Sequence, residues 1–407
     1  MKKIKYITVL LLLIVVTACN DWVTDIPHTN DLITEDQMNT QVNVPFMVNG
    51  LHNRMANLAT VWMESDGISD QLFFDQRVGN STYSTYMELD LAVAIQYNNS
   101  VSFSSIQLMR MNADTLVGRC LYKIPFTNDA AGAQAKKDGL LWGYLYGGLA
   151  RYHLASYIGT HPTVGGATIN GSAFIPSAEL YVQAVSKLKT ALTYASTAYQ
   201  TRLINSLLGK VYLMAGDYGN ALTYINQGLV SGDNPFQSVY SATTAENDYR
   251  AQAGEARQQW AVDLRFNAYV TAVPDEAKRI PLVRKTNGTF VYYRQAKYIQ
   301  MSDGQTSPFV FMDWQENSLM KAEIMARQNT SGNMTLVNEI RKSRGMTALV
   351  SKDLNLDEIY VERDKELFLR GVRLLDQRRF SKPHIAGMWF YIPISQNEID
   401  KNPNLTL

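Results

Sequence analysis

Cysteine is nearly absent from this chain: 407 residues hold two, Cys19 and Cys120. With Cys19 taken up by the modification argued below, no internal disulfide can form, so stability must come from packing. Neither sign of charge prevails. Lys and Arg number 38 against 37 Asp and Glu, a net charge of +1, so no global field favours nucleic acid, and nucleic acid is not an expected partner. Beyond Cys19 no stretch approaches the ~18 consecutive apolar residues of a membrane-spanning helix. Catalytic signatures are missing too: there is no G-x-S-x-G elbow, H-E-x-x-H pair, phosphate-cradling glycine loop or dinucleotide fingerprint. The five histidines, His28, His52, His153, His161 and His384, are scattered without metal-ligand spacing. Even His153 and His161, which could meet across a turn, read as polar or packing residues. Cys120, beside Arg119, reads as a buried, inert thiol. Carboxylate pairs such as Asp66 and Asp70, or Glu362 and Glu366, occur in any chain of this size. No enzyme activity, metal or cofactor is expected.

What the chain does have begins at its start. Lys2, Lys3 and Lys5 form a positive region, Val9 to Val16 is apolar, and Val16-Thr17-Ala18-Cys19 places small residues before the thiol. This is a secretory signal over residues 1–18. A small residue directly before Cys resembles the bacterial lipobox, after which the mature chain starts with a diacylated Cys19. The exported body would be a single domain over 19–407, with residues 19–38 as a tether. At 46% hydrophobic it can bury a large core. The 23 tyrosines and 6 tryptophans suggest contact surfaces as well as core.

Helical spacing is clearest in the middle. Pro176-Ser177 starts a helix carrying Leu180, Ala184, Leu188, Ala191, Leu192 and Ala195. A second carries Leu203, Leu207, Leu208, Val211, Tyr212 and Met214, stopped by Gly216 to Gly219. A third runs from Asn220 to near Gly232. Leu208-Gly209-Lys210-Val211-Tyr212, with Ala221 and Ile225, follows the tetratricopeptide pattern of two antiparallel helices, with Asn205 where that pattern has Trp. Gly209 and Ala221 let the helices approach, and Tyr212 and Ile225 fill the gap. One such unit cannot bury its own face, so the stripes over Gly139 to Tyr157 and Trp314 to Arg344 are its expected neighbours. Leu356 to Phe380 reads as a last helix, laced with opposite charges at Glu362, Arg363, Asp364, Lys365, Glu366 and Arg370. Such lacing usually marks a solvated face. The fold class is mostly helical, all-α, a tetratricopeptide-like scaffold over about 139–232 and 312–380 with irregular loops and a few short strands. Two tracts, about 66–105 and 233–306, lack helical period. Arg279 to Met301 looks like a hairpin turning at Asn287-Gly288.

Several segments resemble one family. The mature start, Cys19-Asn20-Asp21-Trp22-Val23-Thr24-Asp25-Ile26-Pro27, is similar to that of the SusD/RagB family of Bacteroidetes outer-membrane lipoproteins. Leu336 to Gly345 resembles its asparagine, arginine and glycine helix end. Ile359 to Phe380 resembles its E-R-x-x-E-L-x-x-E-G-x-R-x-x-D-x-x-R segment, with Arg370-Gly371 where an acidic residue and glycine are common. Tyr391 to Leu405 resembles its P-I-P, E-I and N-P-N-L close. The resemblance implies about four tetratricopeptide-like pairs, lipid-anchored at Cys19 to the surface of the outer membrane. It implies a lid on a SusC-like TonB-dependent transporter that captures a nutrient, usually a glycan and in some members a peptide.

A sugar-binding lid needs flat aromatic faces for pyranose rings and amides, carboxylates or guanidinium groups for hydroxyls. The candidates are Phe73, Phe74, Arg77, Asn80, Tyr83 and Tyr86 from the first tract, and Trp260, Arg265, Tyr292 and Tyr293 from the second. For each one singly, packing is the commoner role of such residues. Two other readings stand beside this one: a peptide-binding or protein-interaction module of tetratricopeptide type, and an exported glycan-acting enzyme.

Overall fold

The computed structural model describes residues 34–75, 77–78, 101–241, 246–256, 260–303, 305–350 and 352–405. The signal segment, Cys19, Asn80, Tyr83 and Tyr86 lie outside the described residues. After a short helix α1 (Glu35–Met38), α2 (Val44–Ala56) and α3 (Ala59–Ile68) lead to strand β1 (Leu72–Phe74). Two long helices follow, α4 (Val101–Tyr122) and α5 (Ala130–Tyr157). The latter is the spine of the molecule. On one side Gly143 meets Val117 of α4, and on the other Gly148 meets Leu188 of α6 (Ser177–Thr193), so α5 is packed closely along both flanks.

The tetratricopeptide pair is α7 (Ala198–Met214) and α8 (Tyr218–Ile225). Thr197 and Gln200 form a capping box that starts α7, and Asp217 caps α8 through the Asn220 N–H. A Cβ at Gly209 would stand 2.5 Å from Ile225 Cγ1, so the bare glycine sets the distance between the two helices. Tyr212, expected to fill that gap, reaches across to α8 and stacks on Tyr224 with ring centroids 5.5 Å apart, and is half-buried. The third helix also stops short, at Ile225 rather than near Gly232. Asn317 Nδ2 donates to the Ile225 and Leu229 carbonyls, Ser206 Oγ accepts from the Leu229 N–H, and Asn205 donates to the Gln227 carbonyl. These side chains satisfy the backbone groups a continued helix would use, so the chain turns. The Trp-to-Asn departure at Asn205 thereby acquires a reason.

Asn317 belongs to α11 (Trp314–Arg327), which is followed by α12 (Asn333–Ser343) after Gly332 at φ 106°. Between α8 and α11 the chain forms β5 (Phe236–Ser241), α9 (Asp248–Ala253), β6 (Trp260–Val262), α10 (Leu264–Ala272), β7 (Leu282–Asn287), β8 (Phe290–Gln295) and β9 (Gln305–Met312). The expected hairpin is present as β7 and β8, with Asn287 paired to Phe290 and Gly288 at φ 58° in the two-residue loop. Strands β2 (Ile158–His161), β3 (Val164–Ala167) and β4 (Ile175–Pro176) join β10 (Ile392–Pro393) in a second small sheet, and α15 (Gln396–Lys401) follows β10.

The segment Leu356 to Phe380 departs from expectation in two ways. It is two helices, α13 (Leu356–Glu366) and α14 (Arg373–Arg379), and of the laced charges Glu362, Arg363, Asp364, Glu366 and Arg370 are buried. Leu369 and Gly371, in the link between the two helices, take φ of 51° and 68°, values a right-handed helix cannot run through. A Cβ at Gly371 would come 2.6 Å from Trp62 Cβ, and its backbone is held by Asp66, Ser65 and Tyr157. The charge lacing is an ion-pair network rather than a solvated face. Arg279 pairs with Glu276 and Glu362, Arg363 with Asp376, and Arg370 with Asp313 and Glu316. Alternating signs at helical spacing look the same in sequence whether their partners are water or another helix.

Cys120 is buried, and burial pushes its thiol up to about 11. His153 is likewise buried, taking a bond from Trp62 Nε1, while His161 sits exposed on Thr163. Among the described residues no helix is long and apolar enough to cross a membrane, and no group of His, Cys, Asp and Glu could hold a metal ion.

Candidate functional site

One four-stranded sheet, ordered β1-β6-β8-β7, collects residues from both irregular tracts. Its register sorts the candidates by face. Phe74 stands opposite Trp260, and Val262 opposite Tyr293, so these share the side turned toward the core. Trp260 is fully buried, its ring close enough to Gly67 that a Cβ there would lie 2.6 Å away. Phe74 is 2% exposed. Neither ring can be stacked by a sugar, and both serve as packing, while Tyr293 is half-buried against the core.

Alternation puts Phe73, Ala261, Phe290, Tyr292 and Lys285 on the opposite face. There Phe290 and Tyr292, two apart on β8, stack with ring centroids 5.7 Å apart. Arg77 lies over Phe290 with its guanidinium carbon 3.6 Å from the ring centroid. Its orientation is fixed from behind. Nε and Nη2 donate to the two Asp75 oxygens at 2.9 and 2.5 Å, and the Asn287 amide donates to the Arg77 carbonyl. That contact with Arg77 holds the Asp75 carboxyl below the usual range. Arg77 and Phe290 therefore form a flat stack at the turn end of the hairpin, with the Arg77 side chain 59% exposed and Phe73 half-buried on the same face, while Tyr292, stacked on Phe290, is itself buried at 5% exposed and supports the stack. Phe290 was visible in the sequence only as part of the hairpin. What marks it is its place two residues before Tyr292, on the same face of the strand.

Arg265 is not part of this face. It bridges Asp70, just before β1, to Asp364 of α13, bonding both carboxylates and the Asp70 carbonyl. Arg373 closes the cluster on Asp70 at 2.7 Å. Burial alone would raise the Asp70 carboxyl, yet Arg373 and Arg265 hold it below its ordinary value. The cluster fastens the adjoining ends of β1 and β6 to the helical body, so Arg265 positions the sheet.

No known family's sequence pattern matches the chain, and no curated protein does. Solved structures do match. A SusD superfamily protein from Bacteroides thetaiotaomicron is 18% identical, covering 90% of this chain and 99% of its own at a TM-score of 0.71. A laminarin-binding SusD-like protein is 13% identical, covering 90% and 98% at 0.70. Surface glycan-binding protein A from the same Bacteroides species is 15% identical, covering 90% and 98% at 0.63. The chain has the SusD-type fold.

Proposed function

We propose that this protein captures a glycan or oligosaccharide nutrient on the face formed by Phe73, Arg77 and Phe290, with the buried Tyr292 ring supporting Phe290. The observation that carries the reading is the gathering of both loop tracts into one sheet, whose outer face carries the exposed Arg77 guanidinium over the half-buried Phe290 ring, beside Phe73 and Lys285. Stacked rings and a fixed guanidinium suit the C–H face and the hydroxyls of a pyranose. Asn80, Tyr83 and Tyr86 follow Arg77 closely in the chain and are candidates for the same site. Solved proteins of this fold include one named for binding laminarin and one named a surface glycan-binding protein, which supports the ligand class. The further steps, lipid attachment at Cys19 on the outer-membrane surface and delivery to a SusC-like TonB-dependent transporter, are proposed from the resemblance at the two ends of the chain.

The test is retention on a panel of immobilised polysaccharides, in parallel with peptide mixtures. Loss of one stacking side chain should weaken binding by about 1 kcal/mol or more, at least roughly fivefold. Phe290→Ala and Arg77→Ala should each lower retention on the polysaccharide the wild type holds, while Tyr218→Ala, away from the sheet, should leave it unchanged. Retention of peptides but of no polysaccharide would overturn the glycan reading.

A further inference from the structure

A cavity of about 330 Å³ opens between α4, the loop after β3 and the start of α15, and shares no residue with the aromatic face. Its interior is polar and built. Arg110 is 5% exposed, and its guanidinium is held by Gln107 at 2.7 Å, Asn170 at 2.7 Å and Asp114 at 3.4 Å. Glu398 faces it from α15, with Oε1 accepting from Thr168 Oγ1 at 2.6 Å and from Asn402 Nδ2 at 2.9 Å. The Gln107 amide is fixed in turn by the Thr168 carbonyl. At the rim, Leu108 and Met111 are apolar yet 38% and 48% exposed.

These residues fit a ligand of limited kind. Both charges are already met by neighbours, Arg110 by Asp114 and Glu398 by a hydroxyl and an amide, so the site does not demand an ionic partner. It offers a pre-oriented guanidinium, a carboxylate and two amides within one small volume, beside an aliphatic rim. A hydroxyl group both donates and accepts, so a ring bearing several can serve all of them at once. The volume is at the small end for ligand pockets, which suits one or two sugar rings and not an extended chain. We infer that this cavity is a second binding site, for a neutral mono- or disaccharide, separate from the aromatic face.

The full chain, labelled with ¹³C at the methionine methyls, reads the site directly through Met111, one of 16 methionines, assigned by its loss in Met111→Leu. The probes are glucose, galactose, N-acetylglucosamine and cellobiose, with glycylglycine as a zwitterion of similar size. At least one sugar should shift the Met111 signal saturably. Glu398→Gln and Asn170→Gly should each weaken that binding about tenfold, the effect of losing a hydrogen bond to a charged or fixed group. Gly suits position 170, where φ is 53°, so the second variant removes the amide without straining the backbone. Phe290→Ala should leave the Met111 response intact, which separates this site from the aromatic face. The inference fails if no sugar moves Met111, if only glycylglycine does, or if both cavity variants bind as the wild type.

Discussion

Asp66 shows how much one buried residue of this fold controls. Its Oδ2 accepts from the Tyr249 hydroxyl at 2.7 Å and the Gly371 N–H at 3.0 Å, and burial raises its carboxyl from 3.8 to about 7 despite those bonds. A carboxyl raised in the folded state takes up a proton on folding, so its contribution is complete below pH ~4 and is lost as pH climbs to ~7. The gap corresponds to a loss on the order of 4 kcal/mol. His153 works the other way. Burial lowers it from 6.5 to about 3, so it disfavours the fold at low pH and its contribution is regained over nearly the same window as pH rises. The two trends oppose each other and partly cancel between pH 4 and 7. Asp66→Asn removes one of them. Its stability in chemical denaturation should therefore climb with pH across that window, and a curve parallel to the wild type's would contradict the assignment.

Among the elements, the α7 and α8 pair was legible in sequence because its packing is local. Gly209 faces Ile225 only 16 residues later, and both fall in the L-G-x-x-Y and A-x-x-x-apolar pattern. Gly209→Ala should cost about 2 kcal/mol by overpacking, since the new methyl meets Ile225 Cγ1 and is only 3.3 Å from the Ile225 backbone nitrogen. In the Gly209→Ala background, Ile225→Ala should cost less than it does in the wild type, a coupling of about 1 kcal/mol in a denaturation cycle. Additive costs would mean that the two residues do not set the helix spacing. The α13 to α14 segment was misread for the complementary reason. Its partners, Glu276, Arg279, Glu323, Asp313 and Trp62, come from distant parts of the chain, and no local pattern names them. Even the boundary of α8 follows from a residue of another helix, Asn317.

On the scale of the whole molecule, the buried ion pairs tie β1, β6 and α10 to α13 and α14, so the aromatic face rides on a helical body as one unit. That arrangement makes the proposed anchor separable from the proposed binding surface. A Cys19→Ala form should keep the melting temperature and polysaccharide retention of the processed wild type, yet appear in the soluble fraction and fail to support growth on the retained polysaccharide. Normal growth with the soluble form would argue against a tethered lid.

Composition and helical period were settled by sequence alone, because each depends only on residue types or on a short window: the even charge balance, the tetratricopeptide spacing. Tertiary structure decided which candidates face outward. Phe74 looks no different in sequence from Phe73, and only strand register, where one step reverses the face, buries Phe74 opposite Trp260 and leaves Phe73 half-buried on the other side, where Tyr292 is covered all the same.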